Sequence, residues 1–454
     1  MEGSRKTQKL KRADKKRNSD RISALHDSII YHIFSFLPTI YVVQTSVLSK
    51  RWQKLWIDLP YLYFDDEYFT GANGIEHSVE TTRTKFTHFV DNFLFRHAVN
   101  SPIIKFRLTT SCELDGFHTN VWISSAVRAG VKELDVCING DIGNHMDYSF
   151  SCPSYLFNNR TSLVTLKLSF DDTLIHFPEY FCFPNLKGMH LHSVSLAKNF
   201  PHQLLNCPNL ESLYLDDFLV EADDLPVSYT FQHSTDGHHS AILSNLVDAY
   251  IGEIYVIEPF GEHDLRIATW LGTLIRKLSN VKTLHLGFSN IKLLQYSEAW
   301  RLNVLPTFCN LKHLDLEVGN GFADVVEVVT CLVKRSPVLQ SLHLKYVFAY
   351  ESPWNWHGTQ KLEEFISVCL LGKLKKITMY DFCGKTKEHI EVLRVFLRVK
   401  RLEEIIIHLD KSRSNDLILL RQELLQLSRP SKLVLLDETD KKIVSKEIFQ
   451  IIPS

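Results

Sequence analysis

The chain has 454 residues, of which 45% are hydrophobic and 23% charged, and its formal net charge is −1. This composition excludes an intrinsically disordered chain. The near-zero charge argues against general nucleic-acid binding, so no nucleic-acid partner is expected. The length indicates two to three folded units.

The nine cysteines are scattered singly, and none forms a CxxC pair. This pattern is typical of reduced, mostly buried thiols in an intracellular protein. The sequence shows no secretory signal and no apolar run long enough to span a bilayer. We therefore expect a protein of the nucleus, the cytoplasm or both, without a membrane partner.

Residues 1–19 contain eight Lys or Arg, two acidic residues and almost no apolar ones. Such a segment cannot bury enough surface to order itself, and we expect a disordered basic tail. The clusters Lys11-Arg12 and Lys15-Lys16-Arg17 suit a nuclear-import signal or a nucleic-acid patch. An ordinary solvated tail explains them equally well.

Residues 20–66 predict a three-helix module with more apolar side chains than it can bury alone. One face of the first helix has apolar residues at helical spacing, namely Ile22, Leu25, Ile29, Ile33 and Leu37. Its flanks add Ile30, Phe34 and Phe36. Pro38 is expected to end this helix after Leu37, and Ser49 to cap the third helix. Either the module completes its core with another protein, or it packs on its own C-terminal neighbour.

The stretch Leu25–Trp56 carries DSIIYHIFSFLP, then VVQTSVLSKRW, then LW. It resembles the F-box of plant-type F-box/leucine-rich-repeat proteins, which dock on a Skp-type adaptor that joins a cullin ubiquitin ligase. The resemblance implies that eight residues divide between the adaptor surface and the module's core: Leu25, His26, Ile29, Ile33, Leu37, Val43, Val47 and Trp52. The family usually has Leu-Pro where this chain has Leu25-His26. Histidine at the first helical position would lose the pre-organisation that proline provides.

Residues 67–98 connect the module to the next domain. The polar stretch 67–84 predicts a mobile connection. Residues 85–98 have apolar side chains at helical spacing and predict a helix that leads into that domain.

From Ile103 onward one pattern recurs eleven times: an aliphatic residue, two others, an aliphatic, one other, an aliphatic. The first aliphatics of the units are Ile103, Val131, Leu163, Leu186, Leu210, Leu246, Val281, Leu311, Leu339, Leu374 and Leu402. This spacing predicts an irregular leucine-rich-repeat solenoid over 99–361, an α/β fold with a curved parallel sheet and helices on its convex side. The asparagine or cysteine that usually follows the core is missing in most units. A set of unrelated α/β units is the alternative.

Two regions interrupt the repeats. Residues 221–240 predict a protruding loop in which His233, His238 and His239 fit no standard zinc site, so no metal is expected. Residues 351–359 contain Trp354 and Trp356, which could anchor a partner or pack on an adjacent helix.

Residues 362–454 predict terminal repeats and a C-terminal cap, because the end of a repeat array must be covered. The stretch Leu362–Leu409 contains CLLGKLKKITMYDFCG, HIEVLRVFL and RLEEIIIHL. It resembles the FBD-type tail of many plant-type F-box repeat proteins. A helix over 415–428 and a closing strand from Ser431 to Asp437 are expected after it.

The middle residue of each LxL should point to the inner face of the sheet. These positions form a column: Arg107, Asp135, Lys167, His190, Tyr214, Tyr250, His285, Asp315, His343, Thr378 and Ile406. Tyrosine and histidine combine an apolar body with a polar tip. We therefore expect Tyr214, Tyr250, His285 and His343 to bind a target, although an ordinary solvated strand face explains each one equally well.

No phosphate-binding glycine loop, GxSxG elbow or HExxH helix is present, so no catalytic residues and no cofactor are predicted. The family resemblance implies a non-catalytic substrate-recognition subunit of a Skp–cullin–F-box ubiquitin ligase. A protein-binding scaffold outside any ligase is one alternative. A small-molecule receptor in the repeat arc is another.

Overall fold

The computed structural model describes most of the chain between Leu25 and Leu436. The described ranges are 25–70, 78–97, 101–111, 116–139, 154–157, 162–170, 175–221, 242–255, 262–296, 305–319, 322–347, 364–365, 372–382, 392–394, 396–397, 399, 402–409 and 433–436. The chain divides into two compact units: Met1–Leu156 with Arg160–Thr173, and Phe157–Asn159 with Leu174–Ser454. The predicted basic tail, the tryptophan loop and the helix over 415–428 lie outside the described residues.

The first unit begins with the helical module, residues 25–59. Its helices are α1 (Asp27–Phe34), α2 (Thr39–Gln44) and α3 (Trp52–Leu55). They enclose a small core of Ile30, Phe34, Val42, Trp52 and Leu55, each no more than 7% exposed. The rings of Phe34 and Trp52 meet edge to face, with 5.4 Å between their centroids.

Helix α1 ends at Phe34, before the predicted end at Leu37, because the chain turns at Ser35. Ser49 caps the third helix as predicted: its Oγ accepts a hydrogen bond from the Trp52 amide at 3.3 Å. The Ser49 side chain thus accepts from a backbone donor that the first turn of α3 leaves without a helical partner.

A strand that the sequence did not lead us to expect follows the module directly. Strand β1 (Tyr61–Asp65) pairs in parallel with β2 (Lys105–Thr110). The Tyr63 amide donates to the Thr39 hydroxyl at 2.8 Å, which fixes α2 against β1. The polar stretch after β1 is shorter than expected, because α4 (Val79–Arg96) begins at Val79 rather than at 85, capped by Ser78.

The first unit has a four-stranded parallel sheet in the order β1-β2-β3-β4. Its further elements are α5 (Gly116–Arg128), β3 (Glu133–Ile138) and β4 (Thr165–Phe170). Neighbouring strands pair in continuous register, without a β-bulge.

The second unit has a nine-stranded parallel sheet and a small second sheet. The strands of the large sheet, in order, are β6 (Gly188–His192), β8 (Ser212–Asp216), β10 (Asp248–Ile251), β11 (Thr283–Leu286), β12 (His313–Val318), β13 (Ser341–Tyr346), β14 (Lys376–Phe382), β15 (Glu404–Leu409) and β16 (Leu433–Leu436). The small sheet consists of β5 (Ile175–His176), β7 (Val194–Leu196) and β9 (Leu219–Val220). The helices of this unit include α6 (Phe200–Gln203), α7 (Glu262–Lys277), α8 (Phe288–Tyr296) and α9 (Phe322–Lys334).

The predicted fold class is confirmed: helices at the N-terminus are followed by a parallel sheet of repeated strands. All eleven predicted strands are present, from β2 to β15. Every aliphatic or aromatic residue of the eleven patterns is buried, with at most 3% of its surface exposed. The closing strand β16 lies within the predicted range and pairs with β15. None of the helices that the structure describes has the length and apolar content needed to cross a membrane.

A ladder of asparagine side chains joins successive repeats of the second unit. Each of these asparagines stands directly before the first aliphatic of a pattern. Asn209 Nδ2 donates to the Pro184 carbonyl at 2.7 Å, Asn245 Nδ2 to the Pro208 carbonyl at 2.8 Å, and Asn310 Nδ2 to the Asn280 Oδ1 at 2.7 Å. Most units lack the asparagine or cysteine that usually follows the aliphatic pattern. In these units an asparagine directly before the pattern forms the hydrogen bonds between repeats.

We predict that Asn245→Ala and Asn245→Asp both lower the free energy of unfolding by about 0.5–1.5 kcal/mol, because each removes the donor to Pro208. Chemical denaturation measures this change. Ser244→Ala is the control, since it leaves its own backbone carbonyl in place and should be neutral. Wild-type stability in Asn245→Asp would contradict a role for the donated hydrogen bond.

Candidate functional site

The helical module exposes an unusual number of large apolar side chains. Six of them, here called the apolar surface of the module, are Ile29, Ile33, Phe36, Tyr41, Val47 and Leu48. Their exposed fractions range from 40% for Ile33 to 86% for Val47. In contrast, Ile30 and Phe34 of the same helix are at most 1% exposed. Helix α1 is thus apolar on two sides, and the protein's own described residues bury only one of them.

The residues predicted for adaptor contact divide between this surface and the core. His26, Ile29, Ile33 and Val47 are exposed, while Leu25, Leu37 and Val43 are half-buried. Trp52 is 6% exposed and packs in the core, so it could support a partner's binding only through its neighbours. The assignment of these residues to an adaptor stays a prediction.

His26 occupies the N-cap position of α1, one residue before the first helical residue Asp27, and not the first helical position that the sequence predicted. Its φ of −65° is the value at which proline is fixed, so the backbone already has the conformation that proline would impose. Its Nδ1 accepts a hydrogen bond from the Ser28 amide at 3.3 Å. The side chain therefore replaces part of the pre-organisation that the absent proline would provide.

Arg51 ties the beginning of α1 to the segment before α3. Its Nε donates to Asp27 Oδ1 at 3.1 Å, and its Nη2 donates to the same oxygen and to the Leu25 carbonyl at 2.6 Å. A guanidinium that holds a side chain and a backbone carbonyl together restrains both. Leu25 and His26 are consequently held beside the exposed side of α1.

In the first unit, the predicted column begins with Arg107 and Asp135. The Arg107 guanidinium lies over the ring of Tyr63, 4.8 Å from its centroid. Its Nε is 3.7 Å from Asp135 Oδ2 on the next strand. Lys167 takes the equivalent position on β4.

In the second unit, the column forms a stack of aromatic rings across neighbouring strands. The ring centroids of Tyr214 and Tyr250 are 4.3 Å apart, and those of Tyr250 and His285 are 4.0 Å apart. His190 stacks on Tyr214 at 5.7 Å. The structure therefore brings Tyr214, Tyr250 and His285 together, as the strand register requires.

The stack changes what these side chains can offer to a ligand. Tyr250 has a neighbouring ring against each of its faces, so its edge and polar tip remain for other contacts. The Tyr214 hydroxyl donates to Asp216 Oδ2 at 3.0 Å, and the Tyr250 hydroxyl is hydrogen-bonded to that of Tyr214. Burial and the Asp216 carboxylate raise the pKa of both tyrosines, which keeps the hydroxyls protonated.

Gly252 makes room for the stack, and Gly287 makes room for the Glu253 side chain. A β-carbon at Gly252 would lie 2.8 Å from Tyr250 Cε1 and would overlap the Asp216 carboxylate. A β-carbon at Gly287 would lie 2.8 Å from Glu253 Oε1. The same Glu253 Oε1 accepts a hydrogen bond from the Phe288 amide at 2.7 Å and thereby caps α8. Burial raises the pKa of Glu253.

His343 lies beyond the stack and has a different partner. Its Nδ1 is 2.7 Å from Asp315 Oδ1, and its ring meets Tyr380 edge to face at 6.2 Å. Two residues further along the same strands, Lys345 Nζ donates to Glu317 Oε1 at 2.7 Å. The fourth predicted target residue thus belongs to a polar cluster rather than to the stack of rings.

Comparison with known proteins adds a decisive observation to this geometry. Residues 22–63 match the F-box domain, and residues 119–228 match the repeats described as "FBD-associated F-box protein At5g56370, LRR repeats". The F-box/LRR-repeat protein At4g14103 of Arabidopsis thaliana is 31% identical over 374 residues, which are 71% of this chain and 91% of the relative. The chain belongs to the plant F-box/leucine-rich-repeat family.

A second relative of this F-box/leucine-rich-repeat protein carries the FBD in its name. The F-box/FBD/LRR-repeat protein At4g26340 of Arabidopsis thaliana is 30% identical over 396 residues, or 81% of this chain and 87% of the relative. The predicted family resemblance, including its FBD-like tail, is confirmed. The helical module is the F-box.

The described residues of this F-box/leucine-rich-repeat protein contain no group of three or more histidine, cysteine or acidic side chains that could hold a metal ion. His233, His238 and His239 lie outside those residues. The exposed apolar side chains of the module are suited to contact with another protein. The hydrogen-bonded polar side chains on the strands of the second unit are a separate surface that could contact a protein.

We predict that His285 makes folding sensitive to acid. Burial lowers its pKa below the usual value of about 6.5, against the opposing effects of Asp315 and Glu317, with Lys345 acting in the same sense as burial. The folded state favours neutral His285, so its free energy of unfolding is highest above about pH 6.5, the pKa of an unfolded histidine. That free energy decreases as the pH falls towards the lowered pKa of His285 in the folded state.

Denaturant unfolding at about pH 7.5 and about pH 5.5 measures the effect. His285→Phe keeps a ring in the stack and should lose less stability on acidification than the wild type. Tyr250→Phe is the control and should keep the wild-type pH dependence. An identical loss in His285→Phe and the wild type would show that His285 is not the responsible group.

Proposed function

We propose that this protein is the substrate-recognition subunit of a Skp–cullin–F-box ubiquitin ligase. The F-box binds a Skp-type adaptor, and the repeats bind the protein to be modified. The observation that carries the proposal is the exposed second apolar side of α1, on a module of a family whose members typically bind such adaptors. The chain itself supplies no chemistry to the ligase, since its contribution is to bring target and ligase together.

The apolar surface of the module supports the proposed adaptor binding. Fully burying one exposed isoleucine or valine stabilises a complex by roughly 1.5–3 kcal/mol. Ile29 and Ile33 are four residues apart on α1 and present adjacent side chains to one partner. Leu25, His26 and Leu37 border them, Val43 extends the contact to the second helix, and Val47 extends it to the 3-10 turn that follows.

Target binding is assigned to the polar face of the sheet in the second unit. The edges of Tyr214, Tyr250 and His285 form a continuous, rigid strip, because the stacked rings hold each other in place. His343 with Asp315 adds a polar group beside it. Rigid aromatic side chains lose little conformational entropy on binding, which favours them in recognition sites.

We predict that Ile29→Arg with Ile33→Arg abolishes capture of a Skp-type adaptor by the full-length protein. Truncating a central anchor residue of an interface costs about 2 kcal/mol or more, which is about 30-fold in affinity, and a charged replacement costs further. Surface plasmon resonance with the purified adaptor measures the affinity.

The matched control is Val79→Arg with Phe95→Arg, which replaces two exposed apolar residues of α4 in the same unit. The control should bind like the wild type. Circular dichroism verifies that both variants fold. Unchanged affinity of the α1 variant would refute the assignment of the apolar surface to the adaptor.

A further inference from the structure

The F-box carries a group of basic side chains next to its apolar surface. Lys50, Arg51 and Lys54 lie in the segment that opens and forms α3, directly after Val47 and Leu48. Lys50 and Lys54 are both exposed, as are Val47 and Leu48. A basic segment and an apolar segment are therefore continuous along the chain.

Arg51 places this basic segment beside the beginning of α1. Its guanidinium contacts Asp27 and the Leu25 carbonyl. Lys54 follows Arg51 by three residues and lies on the same side of the helical turn. The contacts of Arg51 consequently place the segment that opens α3 beside Leu25 and Asp27, at the edge of the predicted adaptor contact.

The charges around this edge do not cancel. Asp27 is paired with Arg51, so neither adds net charge to the surface. Asp58 is exposed and accepts a hydrogen bond from Ser101 at 2.6 Å. Within residues 25–70 and 78–97, no ion pair to Lys50 or Lys54 is found. The exposed Asp58 carboxylate offsets one of the two lysine charges, so two positive charges less one negative leave a local excess of one positive charge beside the apolar surface.

We propose that Lys50 and Lys54 are part of the docking surface, and that the adaptor fitting it carries carboxylates on the rim of its apolar groove, opposite these lysines. The inference rests on the proposed function and adds the chemistry of the partner. Charges at the rim of an interface act mainly on the rate of association and make that rate depend on salt. The apolar residues fix the complex, and the lysines guide its formation.

Stopped-flow association of the full-length protein with a purified plant Skp-type adaptor tests the inference. Ionic strength is raised from about 0.01 M to about 0.15 M, over which the screening length falls from about 30 Å to about 8 Å. For the wild type we expect the association rate constant to fall about tenfold. The variant Lys50→Glu with Lys54→Glu should associate about tenfold more slowly at low salt and gain no rate at low ionic strength.

The matched control is Lys282→Glu with Lys312→Glu, which makes the same change in charge at two exposed lysines directly before β11 and β12. It should keep the wild-type rate and salt dependence. The neutral variant Lys50→Gln with Lys54→Gln should lie between the wild type and the reversed variant, which separates a charge effect from a folding defect.

Equal rates and equal salt dependence for the wild type and the Lys50/Lys54 variants would overturn this inference while leaving adaptor binding intact. An equal slowing of the Lys282/Lys312 control would also overturn it, because net charge rather than position would then set the rate. Absence of any association by the wild type would instead refute the proposed function.

Discussion

Helix α1 has apolar side chains on two sides, and it can bury only one of them within its own module. Ile30 and Phe34 pack against Trp52 and the second helix, while Ile29 and Ile33 remain exposed. Burial of the first pair gives the module its core. Exposure of the second pair to solvent has an energetic cost that a bound partner removes. The division of one short helix between core and surface is the feature on which the proposed function depends.

The module is also the beginning of the repeat sheet, because β1 follows it without a linker. The Thr39 hydroxyl accepts a hydrogen bond from the Tyr63 amide, and the Arg107 guanidinium of β2 packs over the Tyr63 ring. The buried Nε2 of His97 lies 2.9 Å from the Leu59 carbonyl and fixes α4 to the same junction. Within the first unit, a partner that binds the F-box is thus rigidly connected to the first strands of the sheet.

The sequence predicted the repeated strands because each one has three aliphatic residues that must all be buried. It also contained β1, since Leu59, Leu62 and Phe64 have the same spacing and are at most 1% exposed. The helical interpretation of 20–66 concealed that pattern. Stacking of Tyr214, Tyr250 and His285 could not be predicted, because it depends on rotamers and on the space left by Gly252. The asparagine ladder was missed because its residues precede the pattern instead of following it.

Hydrogen–deuterium exchange of the full-length protein, with and without a Skp-type adaptor, tests most directly whether the exposed side of α1 binds the adaptor. Exchange reports the opening of backbone hydrogen bonds, which slows where a bound partner stabilises a helix. We expect slower exchange in α1 and at Val47 and Leu48 when the adaptor is present, and unchanged exchange in α9. Unchanged exchange in α1 under saturating adaptor would contradict this role of the helix.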